Sequence, residues 1–127
     1  MHILLIEPDR ILAKTYLKAL RAAGHTVQVC ATAQTAVFCA DETKPDVVIM
    51  ELQLVGHSGI EFLYEFRSYP DWQQVPVVIA TNVPAAEFTD SWPLLKGQLS
   101  VSAYHYKPLM SLQSLLASVE AVVPDRV

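Results

Sequence analysis

Charge is what this chain has least of. Only 17% of its 127 residues are Asp, Glu, Lys or Arg, the formal net charge is -4, and no stretch gathers lysine and arginine. A domain that neutralises phosphates needs such a stretch, so direct nucleic-acid binding is not expected. Long hydrophobic runs are missing too. Nothing approaches the ~20 apolar residues of a membrane-spanning helix. The opening "MHILLIEPD" reaches acid too soon to serve as a secretory signal. Cysteine is limited to Cys30 and Cys39, which sit in apolar surroundings without metal-ligand spacing. They read as buried free thiols in a reducing cytoplasm. The chain has no repeats, low-complexity tracts or internal linkers. What it does have is apolar material, 52% of the residues, in a length that suits one domain with its own core. That domain is expected over 1–123, with 124–127 as a tail or the start of a linker.

Three short runs are continuously apolar: "ILLI" (3–6), "VVIM" (47–50) and "VVIA" (77–80). Strands of this kind are covered on both faces, as in the centre of a parallel sheet. "TVQVCA" (26–31) and "VSAY" (101–104) mix polar with apolar positions and read as edge strands. Helical patterns lie between them. Asp9 can cap a helix over roughly 10–23, with Ala13, Tyr16, Leu17 and Leu20 on one face and Gly24 ending it. Thr32 can cap a second, running to about Glu42. Ile60, Leu63 and Tyr64 mark one face of a third, closed before Pro70. Residues 84–97 suggest a fourth helix that Pro93 should break or kink. Ser111 can cap the last, carrying Leu112, Leu115, Leu116 and Val119. Trp72 and Trp92 read as packing residues near the sheet ends.

Five alternations of strand and helix imply an α/β fold with a parallel sheet. Placing the all-apolar strands centrally favours the order 2-1-3-4-5, the flavodoxin-like doubly wound arrangement with five helices on two faces. Sites in such sheets lie at the carboxyl ends of the strands. There the first strand delivers Glu7, the third Glu51 and the fourth Thr81, and the fifth leads within three residues to Lys107. Two acids, a hydroxyl and an amine should meet on one rim.

The segments "ILLIEPDRILA", "PDVVIMELQLVGHSGIEFL", "VPVVIATN" and "AYHYKPL" resemble the receiver domain of bacterial two-component response regulators. The resemblance spans about residues 2–122. It implies a strand-end aspartate that takes a phosphoryl group from a kinase histidine, two acids that hold Mg²⁺, and a hydroxyl and a lysine that bind the phosphoryl oxygens. It also implies an aromatic residue that moves inward when the hydroxyl engages. On this pattern Thr81 matches the hydroxyl, Lys107 the lysine and Tyr104 the switching aromatic. Gly56 and Gly59 match the loop after the acceptor. Pro108 matches a proline that usually follows a cis bond.

Two positions depart. The acceptor position holds Glu51, and the second acid after the first strand is replaced by Pro8. Glutamate carries its carboxylate roughly one C–C bond further out, ~1.5 Å, and ~1 Å of misplacement can cost ~100-fold in rate. Proline removes an oxygen ligand from a cation that takes oxygen almost exclusively. No cofactor is therefore expected, and Mg²⁺ at most weakly, with Glu7, Glu51 and the Gln53 backbone as the weak metal candidates. His57 and His105 have no second ligand at metal spacing.

The resulting expectation is a non-enzymatic, cytoplasmic, phosphorylation-independent interaction module of two-component signalling. Its partner is a protein, met through the 84–122 face: a histidine kinase, another regulator, an output domain or a second copy. Glu51 either mimics the phosphorylated state, by ion-pairing Lys107 and hydrogen-bonding Thr81, or merely neutralises Lys107. One alternative is a receiver still phosphorylated on Glu51. A remote one is a flavodoxin-like nucleotide or flavin binder, disfavoured because "EPDR" after the first strand offers no phosphate cradle.

Overall fold

The alternation of all-apolar strands with capped amphipathic segments folds, in the computed structural model, into one five-stranded sheet; the structure describes residues 1–122. The elements are β1 (His2–Ile6), α1 (Arg10–Ala22), β2 (Thr26–Cys30), α2 (Ala33–Glu42), β3 (Val47–Met50), α3 (Gly59–Ser68), β4 (Val77–Thr81), α4 (Trp92–Gly97), β5 (Val101–Tyr106) and α5 (Leu112–Ala121). All four strand pairings are parallel, in the order β2-β1-β3-β4-β5. The expected tail at 124–127 lies outside the described residues.

Period-two alternation explains the continuous apolar runs. Leu4, Ile6, Val48, Met50, Val77 and Ile79 face α2, α3 and α4, where Ala36, Phe62, Phe66 and Leu95 complete one core layer. Ile3, Leu5, Val47, Ile49, Val78 and Ala80 face the other way, against Tyr16 and Leu20 of α1 and Leu115 and Val119 of α5. A central strand buried on both sides has no place for a polar residue until it ends. The first polar side chains therefore come at the strand ends, all on one edge of the sheet.

Local chemistry fixes the helix starts. Asp9 accepts the N–H groups of Ile11 and Leu12, Thr32 that of Thr35, and Ser111 that of Ser114 in a reciprocal capping box. Two expectations change in detail. The segment 84–97 is not one helix. A 3-10 turn at Ala85–Phe88 precedes α4, and Pro93 sits in the first turn of α4, where its missing N–H costs nothing. On α3 the buried face is Phe62, Leu63 and Phe66, while Tyr64 points to solvent. One further turn of helix would bury Arg67, and it does.

Arg67 is buried, and among the described residues it has no carboxylate partner. Its guanidinium donates to the carbonyls of Trp72 (2.6 Å), Leu99 (2.9 Å) and Ser100 (3.3 Å). Burial lowers its pKa from the usual arginine value. The three carbonyls belong to the turn after α3 and the loop into β5, which Arg67 ties together. Arg67→Met is expected to lower the unfolding free energy by about 3 kcal/mol, because buried acceptors lose a charged donor. Urea denaturation reads this directly. An unchanged midpoint would show that water replaces the guanidinium at no cost.

Candidate functional site

Parallel strands end together, so residues far apart in sequence are brought within contact of one another. Glu7, Glu51 and Thr81 follow or close β1, β3 and β4, and all three are buried. Lys107 follows β5. Its Nζ lies 2.6 Å from Glu7 Oε1 and 2.5 Å from Glu51 Oε2, and its side chain is only 9% exposed. One ammonium thus stands between two carboxylates. Burial pulls the Lys107 pKa down, but the hydrogen bonds and charges of Glu51 and Glu7 outweigh it and hold the amine above its usual value.

The Glu51 carboxylate is paired on both oxygens. Oε1 accepts the backbone N–H groups of Leu52 (2.8 Å) and Gln53 (3.0 Å) and the Thr81 hydroxyl, and Oε2 takes Lys107. The longer arm of glutamate does not reach outward. It folds back over the loop that follows β3, and the hydroxyl and the amine converge on it. Glu7 is held more simply: Oε2 accepts the Asp9 N–H at 3.1 Å. Pro8, between them, adds no side-chain oxygen.

The loop after Glu51 is shaped by two glycines. Gly56 has φ +80°, a conformation that favours glycine. Gly59 opens α3 so close to β3 that an added Cβ would stand 2.7 Å from Leu52 Cα and 2.9 Å from Glu51 O. Its N–H donates to Leu52 O at 2.7 Å. These contacts hold the Leu52 and Gln53 amides where Glu51 meets them.

Tyr104 lies one layer away, half-buried, with its ring against Phe88 and Trp92 and its hydroxyl donating to Val83 O at 2.5 Å. Val83 N in turn donates to Thr81 Oγ1 at 3.2 Å. A continuous path therefore runs from Glu51 through Thr81 and Val83 to Tyr104. Burial, with the charges of Glu51 and Glu87, pushes the Tyr104 hydroxyl up to about 12.

The structure brings Glu7, Glu51, Thr81 and Lys107 together and places Tyr104 beside them. It corrects the expectation for Pro108. The bond before it is trans, with no cis bond among the described residues, and the proline sits inside a 3-10 turn, Lys107–Leu109. The fixed φ of proline suits that early position without isomerisation. The Leu52 and Gln53 amides were not foreseen. The only signal for them was the glycine pattern that follows. His57 is exposed near Glu61, and His105 is half-buried against Ser118 at 2.6 Å. Among the described residues, no three His, Cys, Asp or Glu side chains gather as a metal site.

The family model described as the response regulator receiver domain matches residues 3–91. The KDP operon transcriptional regulatory protein KdpE of Escherichia coli K12 is 31% identical over 78 residues, 61% of this chain and 33% of that protein. The transcriptional regulatory protein BaeR of Escherichia coli O6:H1 is 25% identical over 122 residues, 96% of this chain and 48% of that protein. The chain thus spans half or less of the length of these curated relatives. Among solved structures, the chemotaxis response regulator CheY4 of Vibrio cholerae superposes with a TM-score of 0.83 at 19% identity, covering 96% of this chain and 98% of that one. The receiver domain of HemR from Leptospira biflexa, in its non-phosphorylated form, gives 0.81 at 21% identity, covering 99% and 96%. At these identities the structural likeness speaks to the fold.

Proposed function

Because this chain belongs to the response regulator receiver domain family, we propose that it serves two-component signalling as a phosphorylation-independent protein-interaction module. One observation carries this reading: Lys107 bridges Glu7 and Glu51 while Thr81 hydrogen-bonds the same Glu51 carboxylate. Two backbone amides, a hydroxyl and an ammonium are the kind of donors that hold an anion. Here the anion is the side chain itself. Glu51 satisfies the groups that an incoming phosphoryl group would need, and Lys107 and Thr81 each occupy one of its two oxygens. It carries less charge and fewer oxygens than a phosphoryl group, but it holds Thr81, and through Val83 the Tyr104 hydroxyl, in a single engaged arrangement.

The donor set does not suit a divalent cation. Pro8 supplies no oxygen, and the ammonium between the two carboxylates repels positive charge. Mg²⁺ then binds at most weakly and no cofactor is required. Nothing in the loop after β1 favours flavin or nucleotide. The domain acts without catalysis in the cytoplasm, and no helix among the described residues is long and apolar enough to cross a membrane.

The partner is a protein, a kinase, another regulator or an output domain, met through the 84–122 face. Glu87 and Asp90 are exposed at the start of that face, but its 91–122 part is poor in charge. Leu109 and Leu112 are exposed there, Lys96 lies over the Trp92 ring, and Glu120 turns away to His25 at 3.1 Å. Apolar contact is what such a surface offers, to a partner or to a second copy.

The test is exposure of the unmodified protein to an acyl phosphate donor with millimolar Mg²⁺. Intact mass and the amide spectrum are both expected to stay unchanged, and calorimetry to show no saturable Mg²⁺ site. A phosphoryl adduct mapped to Glu51 would replace this reading with that of a working receiver.

A further inference from the structure

Cys30 closes β2 and Cys39 lies on the buried side of α2. Both are free thiols, and their sulfur atoms are 3.0 Å apart. That is closer than two unbonded sulfurs ordinarily pack, and about 1 Å longer than a disulfide bond. Cys30 is buried, whereas Cys39 is partly exposed, so the pair is not sealed as the sequence suggested. Its place in the fold gives it a neighbour of interest: the Cys30 carbonyl accepts the Glu7 N–H at 2.9 Å.

We propose that Cys30 and Cys39 form a reversible intramolecular disulfide, a site of two-electron thiol oxidation by a peroxide that clamps α2 to the end of the edge strand β2. Solvent access makes Cys39 the thiol that meets the oxidant. It gives up its proton and attacks one peroxide oxygen. The O–O bond breaks, hydroxide leaves, and Cys39 becomes a sulfenic acid. The Cys30 sulfur then attacks the Cys39 sulfur, the S–S bond forms, the S–O bond breaks, and Cys30 releases its proton with the departing oxygen as water. Two thiols are oxidised and one hydrogen peroxide is reduced to two waters. Cys30 is unsuited to the first step, because burial and the hydrogen bond with Cys39 raise its pKa to about 12. In the second step the same raised pKa slows it, but its sulfur already touches the target at 3.0 Å, so the attack is intramolecular and its proton can pass to the departing oxygen. A cytosolic disulfide of this kind is transient and reversed by thiol reductants.

The experiment treats the reduced protein with a small excess of hydrogen peroxide, followed by intact mass and a non-reducing peptide map. A loss of about 2 Da, the two thiol hydrogens, is expected, with the Cys30 and Cys39 peptides joined and the change reversed by dithiothreitol. The oxidised form should melt roughly 5 °C higher, since the bond closes a loop of the unfolded chain. In Cys30→Ala, Cys39 should gain oxygen under the same treatment, while in Cys39→Ala, Cys30 should stay unmodified. Persistence of two free thiols in the unmodified protein, disulfide-linked dimers, or oxidation of Cys30 in Cys39→Ala as fast as in the unmodified protein would each overturn the proposal. The arm on unmodified protein decides even if a variant folds poorly.

Discussion

A variant carrying both Pro8→Asp and Glu51→Asp is expected to take up a phosphoryl group from an acyl phosphate donor rapidly and only with Mg²⁺, while neither single change does so. On the proposed function two separate faults would account for this. Glu51 would misplace the nucleophile, and it contacts the groups that should meet the phosphoryl oxygens: Thr81 on Oε1 and Lys107 on Oε2. Shortening it to aspartate removes a methylene, draws the carboxylate back and frees the hydroxyl and the amine. The cation, however, still lacks a ligand at position 8. Pro8→Asp supplies that oxygen but leaves Lys107 clamped between Glu7 and Glu51. The misplacement alone is worth on the order of 100-fold in rate, the usual cost of moving a reacting group by ~1 Å, and the missing ligand acts separately by weakening the cation. The gain should be strongly non-additive, as for groups that act as a unit. Intact mass and hydroxylamine sensitivity of the adduct provide the readout. If the unmodified protein labelled as fast as the double variant, Glu51 would be a working acceptor and the proposed function wrong. A well-folded double variant that stayed unlabelled would show that position and metal ligand are not the faults that matter.

Removing the central cation should have the largest effect on stability. In Lys107→Met, two buried carboxylates, each with its residue 4% exposed, lose the ammonium that both contact. Stripping one partner from a buried ionic cluster typically costs about 3–5 kcal/mol, a large part of the ~5–15 kcal/mol that holds a domain together. Glu7→Gln in the same chain should recover part of the loss, because a single carboxylate then remains, still held by the Leu52 and Gln53 amides and Thr81. The pH dependence follows from the raised pKa of Lys107. A cationic group that is easier to keep protonated when folded contributes its full stabilisation below its unfolded pKa. That contribution is lost as pH rises through the folded pKa. The window therefore lies above about pH 10.4, the ordinary value for lysine. Tyr16 and Tyr104, whose hydroxyls are pushed up chiefly by burial, also weaken the fold in that range. The diagnostic quantity is thus the difference between the two proteins: the stability deficit of Lys107→Met should shrink as pH climbs beyond 10.4. A constant deficit, measured by denaturant titration across that range, would remove the charge from the explanation and leave only lost packing.

Much of this molecule is written locally. The runs at 3–6, 47–50 and 77–80 are apolar at every position because both faces of a central strand are covered, and the structure buries all of these residues. Asp9, Thr32 and Ser111 start helices because each offers an oxygen to amides two or three residues ahead. Polar positions mark the second and fifth strands as edges, the flavodoxin-like arrangement supplies the rest of the order, and parallel strands must deliver their ends to one edge. Together these were enough to assemble Glu7, Glu51, Thr81 and Lys107 without coordinates.

Other features depended on contacts that no local pattern records. The folding-back of Glu51 needs the Leu52 and Gln53 amides, which Gly59 places by letting α3 approach β3. The split before α4 and the trans bond before Pro108 are each one of two backbone solutions open to proline, chosen by what packs around them. No sequence pattern marks Arg67 for burial; the carbonyls of Trp72, Leu99 and Ser100 close on it only in the packed fold, and the two thiols read as buried meet because α2 lies across the end of β2. Periodicity and capping act over a few residues, so sequence alone determined the elements, their order and the edge where the polar groups gather. Which groups touch there is set by distances of ångströms between residues tens of positions apart, and only the packed sheet and its helices fix those.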